Sequence, residues 1–145
     1  MTVDPQENSG ARHPKDFALG SGTADEPPID VMVLEELKEL AGPDHPDPLG
    51  EVLGLFLSDS PVRYQGLIDS WKLRDVAQMH AFAHGLKGSA ANMGARRLMS
   101  LLTFLDRDLK EGILENAPDL MARIDVEFEA VMTFLRDYLQ LHMQH

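Results

Sequence analysis

The sequence predicts an all-α fold: an up-and-down antiparallel four-helix bundle with a short additional N-terminal helix capping one end. Three observations predict it. Apolar residues recur at alternating spacings of three and four through most of the chain, the period of an amphipathic helix. No segment alternates with period two over a useful length, so strands are not expected. Leu, Ala, Met and Val carry the apolar load, and aromatics make up only 6% of the residues, a balance that suits helices better than sheets.

The elements follow in order. Residues 1–28 are rich in Pro, Gly, Ser, Asp and Glu without an apolar period, and read as a flexible leader or linker. Residues 29–145 then form a single helical domain. Asp30 is the N-cap expected for a short helix through Leu40, with Ile29, Val33, Leu34, Leu37 and Leu40 on its apolar side. Gly42-Pro43 stops it, and Pro43 to Pro48 form a stiff loop. A second helix is expected from about Leu49 to Trp71, kinked or divided by Pro61 near Asp59-Ser60. The third runs from about Leu73 to Met93, with Asn92 as its cap and Gly94 as its left-handed stop. A fourth covers about Ala95 to Glu111, with Leu98, Leu101, Leu102, Leu105 and Leu109 inward and Gly112 at its end. The fifth starts near Asn116-Ala117-Pro118 and continues towards Leu141.

Composition removes several function classes. At 145 residues and 16.1 kDa the chain has room for one modest core. It has neither a run of eighteen apolar residues nor a basic-then-apolar N-terminus, so no membrane span or signal peptide is expected. The absence of cysteine excludes disulfides and thiolate metal sites and fits a reducing cytoplasm. A net charge of −11 and a pI of about 4.8 argue against nucleic acid or an anionic membrane as partner.

The third helix carries the chemistry. Met79, Ala83, Leu86, Ala90 and Met93 form its core stripe. At about 100° per residue, His84 lies roughly 140° from the middle of that stripe and points at solvent. Lys87 sits beside it at i+3, and Gly88 one turn on. Glycines inside a helix cost about 1 kcal/mol each against alanine, so Gly85 and Gly88 need a reason other than stability. Bare backbone beside an exposed imidazole lets another protein approach closely. Neutral imidazole is a competent nucleophile near neutrality, and its second nitrogen needs a partner that fixes the tautomer. Helices three and four are antiparallel across Gly94, with His84 ten residues before it and Asp106 twelve after. Asp106 is therefore the candidate hydrogen-bond acceptor for the ring, with Lys110 one turn further adding positive charge.

Other readings of these residues are blander. His80 and His84 form an i, i+4 pair that suits a metal, yet no HExxH motif, cysteine or third ligand accompanies them. His80, Gly85, Gly88, Ser89, Ala91 and Lys110 are read as a docking surface around His84, Ser89 being either a phosphate donor or a small packing residue. Arg96 and Arg97 oppose the helix dipole at their position and meet either an acidic partner or solvent. Gly85-Leu86-Lys87-Gly88-Ser89 is not a Walker A loop, and the chain holds no G-x-G-x-x-G or G-x-S-x-G, so no ATP site of its own is expected.

His84-Gly85-Leu86-Lys87-Gly88, followed six residues later by Gly94, resembles the signature of histidine-containing phosphotransfer (HPt) domains. The likeness covers about residues 29–140, including Leu55-Phe56-Leu57 and Leu105-Asp106. Family members often carry Glu or Gln where this chain has Asp106, and a Gly-Asp turn where it has Trp71-Lys72-Leu73-Arg74-Asp75. The resemblance implies a cytoplasmic, monomeric carrier in a two-component phosphorelay, not an enzyme. His84 accepts a phosphoryl group from a receiver-domain aspartate and passes it to another, on a response regulator or a hybrid histidine kinase. It implies no cofactor on this chain, the Mg²⁺ belonging to the receiver. Two alternatives stay open: a helical module that binds a receiver or kinase without accepting phosphate, and the phosphoacceptor domain of a chemotaxis-type kinase. The chain's end near His145 leads us to expect no ATP-binding domain after the helices.

Overall fold

A computed structural model describes residues 27–143 of the chain. Most of the expected leader, residues 1–26, lies outside the described residues. Five helices follow one another: α1 (Val31–Glu39), α2 (Pro48–Lys72), α3 (Val76–Asn92), α4 (Arg96–Lys110) and α5 (Ala117–Met143). No strand occurs among the described residues. Helix α2 packs on α3, α3 on α4, α4 on α5, and α5 back on α2, while α1 lies against α2.

Local chemistry sets the boundaries. Asp30, Asp47 and Asp75 each accept a hydrogen bond from a first-turn amide, on Met32, Gly50 and Gln78, at 3.0, 3.0 and 3.1 Å. Each thereby satisfies a donor that the helix itself leaves orphaned. Helices α2, α3 and α4 all end in a Schellman turn. In α3 the amide of Ala95 bonds Ala90 O at 2.9 Å and that of Gly94 bonds Ala91 O at 3.1 Å. Gly94 and Gly112 supply the left-handed residue with φ of +72°, and Arg74 supplies it after α2 with φ of +56°. Arg74 takes a place better suited to glycine, but its guanidinium stacks on the Trp71 ring, 3.6 Å from the centroid, and bonds the Trp71 carbonyl.

Three boundaries differ from expectation. Pro61 neither divides α2 nor ends it, because a single missing amide leaves the remaining turns bonded and packing holds them in line. Helix α3 starts at Val76 instead of Leu73, since the turn after α2 needs Leu73, Arg74 and Asp75. Met93, not Asn92, is its C-cap.

The core is the apolar face of each helix. Leu34, Leu53, Leu67, Met79, Leu102 and Ile124 lose all contact with water, each such burial contributing about 1.5–3 kcal/mol before chain entropy is charged. The whole expected stripe of α3, Met79 to Met93, is buried. Helix α1 is fastened to the turn between α3 and α4. The Asp30 amide bonds Gly94 O at 2.9 Å, and its carboxylate pairs with Arg96 at 2.6 Å. Arg97 is paired as well, with Glu127 on α5 at 3.0 Å. Both arginines thus have an acidic partner within the chain, although the Arg96 side chain remains 58% exposed.

Candidate functional site

Because the opposite side of α3 is committed to the core, His84 stands outside it with 64% of its side chain exposed. Gly88 and Ala91, at i+4 and i+7, share that side and are exposed too. A methyl group added at Gly88 meets no atom within 4 Å. The imidazole thus borders an open strip of small residues.

Beneath it lies Asp106 of α4, only 3% exposed. Lys87 Nζ donates a hydrogen bond to its Oδ2 at 3.1 Å. His84 Nδ1 faces the same oxygen at 3.8 Å, and Lys110 Nζ lies 3.9 Å from it. His80 Nε2 lies 2.9 Å from the other oxygen, Oδ1. That pair is close enough for an ionic contact, but its alignment falls short of a hydrogen bond. Burial alone pushes the Asp106 carboxyl up, but the hydrogen bond and charge of Lys87, with His80 and Lys110, outweigh it and hold the group below the usual carboxylate range. A buried carboxylate therefore stays ionised beside the exposed imidazole. The rings of His80 and His84 stack with centroids 6.1 Å apart.

The sequence-predicted residues divide into two groups. His84, Lys87, His80, Lys110 and Asp106 converge, while Gly88 and Ala91 flank them. The direct hydrogen bond expected between Asp106 and the His84 ring is not formed: 3.8 Å exceeds hydrogen-bonding distance. Asp is one methylene shorter than Glu, and Lys87 already occupies the nearer oxygen. Lys87 is half-buried and tethered, not a free surface charge. His80 turns inward instead of lying open on the docking face. Gly85 and Ser89 belong to a different contact. The Arg63 side chain from α2 lies over Gly85, 3.5 Å from where a methyl would stand. Ser89 Oγ donates to Gly85 O at 3.2 Å and accepts from Arg63 Nη1 at 3.1 Å. Neither residue is bare to an incoming protein.

Arg63 is the residue that motif reading missed. It lies eleven residues before Arg74, and Gly85 eleven after, so the turn-counting that nominated Asp106 also pairs these two. Next to it, Leu55, Phe56, Ser60, Asn92 and Met93 help line a cleft of about 280 Å³ between α2 and α3. Among the described residues, no group of three or more His, Cys, Asp or Glu is arranged to hold a metal ion.

Known proteins share this sequence pattern and fold. Residues 51–140 match the Hpt domain family. Histidine-containing phosphotransfer protein 2 of Arabidopsis thaliana is 30% identical over 112 residues, covering 75% of this chain and 72% of that protein. Protein 5 of the same name and organism is 29% identical over 122 residues, covering 77% and 73%. The crystal structure of histidine-containing phosphotransfer protein B from Pseudomonas aeruginosa PAO1 superimposes with a TM-score of 0.71 at 28% identity, covering 80% of this chain and 97% of that one. The chain belongs to the Hpt domain family.

Proposed function

We propose that His84 is the phosphoacceptor through which this histidine phosphotransfer protein serves a phosphorelay. One observation carries the assignment: an exposed imidazole whose Nδ1 faces a buried, ionised carboxylate while Nε2, the nitrogen further from it, remains for attack. A carboxylate in that position favours the proton on Nδ1 and supports the charge the ring acquires, as an aspartate does behind a catalytic histidine. The Nε2 lone pair attacks phosphorus in a receiver's aspartyl phosphate, the N–P bond forms, and the P–O electron pair leaves with the receiver's carboxylate. Onward transfer reverses these steps on a second receiver. Lys87 offsets charge on the phosphoryl oxygens, and Gly88 and Ala91 admit the partner's backbone.

The fold assigned to residues 29–145 is one domain, an up-and-down four-helix bundle of α2 to α5 with α1 capping one end. The closed order of helix contacts supports it. We assign no ATP site and no metal to the chain, the Mg²⁺ for transfer being the receiver's. The carrier acts as a cytoplasmic monomer on receivers of response regulators or of a hybrid kinase. No helix among the described residues is long and apolar enough to cross a membrane.

The test is incubation with a phosphorylated receiver. Acid-labile, base-stable label is expected on the chain and absent from His84→Gln. Label that persists in His84→Gln, or complex formation without any label, overturns the assignment.

A further inference from the structure

The mechanism above leaves His80 unused. It sits one turn before His84, half-buried, with Nε2 sealed from water against an equally sealed Oδ1 of Asp106. Neither of those atoms has a hydrogen-bond partner elsewhere. Two lone pairs 2.9 Å apart in a buried site repel, and the carboxylate is kept ionised by Lys87. A proton on His80 Nε2 removes that repulsion and sets a positive N–H dipole against Oδ1. The same carboxylate faces the other histidine through the opposite ring position, Nδ1 of His84. One buried anion thus addresses two stacked imidazoles through different nitrogens.

We infer that Asp106 sorts the two histidines into opposite tautomers, and that His80 is a positioning residue that holds Oδ1 so that Oδ2 stays aimed at His84. His80 carries its proton on Nε2, and His84 carries its proton on Nδ1 with the Nε2 lone pair outward. Without the His80 N–H facing Oδ1, the carboxylate swings towards the charges that remain, Lys87 and Lys110, and its hold on the His84 tautomer weakens. His80 thereby acts on the transfer without touching phosphate or receiver. The inference rests on His84 being the acceptor, but its first readout does not.

That readout is ¹⁵N-resolved NMR of the imidazoles in the free, unphosphorylated protein, which distinguishes a protonated from an unprotonated nitrogen at each ring position. Opposite tautomers are expected for His80 and His84. In His80→Leu the His84 ring is expected to populate both tautomers, and transfer from the phosphorylated receiver to slow roughly tenfold, the scale on which a misplaced supporting group acts. Receiver affinity stays unchanged. His80→Gln, whose amide reaches the position of Nε2, restores the tautomer and most of the rate. A His84 proton on Nε2 in the native protein, or an unaltered tautomer and rate in His80→Leu, overturns the inference. Slowing that comes from weaker receiver binding in both variants also overturns it, since His80 is then a docking contact. Opposite tautomers without any label on His84 leave the positioning intact and strike the phosphoacceptor assignment instead.

Discussion

Lys87 on α3 and His84 one turn before it share a single oxygen, Oδ2 of Asp106 on α4, at 3.1 and 3.8 Å. The lysine's charge is thus fixed near the ring by a hydrogen bond to a carboxylate 3% exposed, not left to a flexible stem. Tethering reduces the side-chain entropy that a free lysine loses on meeting phosphate. It also makes the two residues interdependent.

Lys87→Ala is expected to slow transfer at least tenfold, as loss of a positioned charge does at sites of developing negative charge. It leaves the buried carboxylate short of its main partner, which costs about 1–3 kcal/mol in stability. Asp106→Asn frees Lys87, and the double variant loses less than the sum of the singles. A double-mutant cycle in urea unfolding measures that coupling, expected at about 1 kcal/mol or more. Additive losses show that the two side chains do not interact in solution.

Gly88 gives the opposite balance of stability and function. An added methyl meets nothing within 4 Å, so Gly88→Ala is expected to stabilise the helix by about 1 kcal/mol. Thermal unfolding reads that gain. On the docking face proposed for this chain the same methyl would meet the partner's backbone, so receiver affinity is expected to fall. An alanine variant that binds and transfers like the native protein removes Gly88 from the interface.

Gly94 and Gly112 separate backbone strain from packing. Both have φ of +72°, yet only at Gly94 does an added Cβ run into atoms, Val33 Cγ2 at 2.9 Å and Asp30 Cβ at 3.1 Å. Each alanine variant carries the left-handed cost of about 1–2 kcal/mol. Gly94→Ala adds about 1 kcal/mol or more of overpacking. Equal losses in chemical denaturation mean that α1 does not sit on that turn.

Alkaline pH acts through the chain's two tyrosines. Burial, reinforced by a hydrogen bond to Asp125, pushes the Tyr64 phenol up, and burial with Glu35 raises Tyr138. A raised value means that the stabilisation is complete below the ordinary phenol pKa of about 10 and is lost as pH climbs from there through the raised values. Unfolding free energy is therefore expected to fall above about pH 10, and less steeply in Tyr64→Phe. Phenolate absorbance of the folded protein is expected to rise late. Ordinary titration of both phenols contradicts the contacts.

Much of this was legible because helix periodicity fixes directions. The Met79–Met93 stripe is buried and His84 stands outside it, as a repeat of about 3.6 residues requires. Counting outward from Gly94 brought Asp106 beneath the imidazole. Side-chain reach was not legible. Whether Asp106 bonds Lys87 or His84 turns on one methylene, and nothing in the sequence shows His80 turning inward. Arg63 lies outside the α3 motif, and only the turn at Arg74, which pairs residues across α2 and α3 in the same way, brings it to Gly85 and Ser89. Pro61 misled because proline removes only one helical hydrogen bond, and the packing of a 25-residue helix outweighs that loss.

The clasp of Asp30 on Gly94 and Arg96 joins positions as many as 66 apart in sequence, whereas the α3–α4 hairpin it grips is built from near neighbours. Near contacts cost little chain entropy and close early, while distant ones close late and open first. In native-state hydrogen exchange the Asp30 amide is therefore expected to lose protection ahead of the α3 amides. Released at that end, the hairpin keeps the helix that displays His84 while the turn at Gly94 gains freedom.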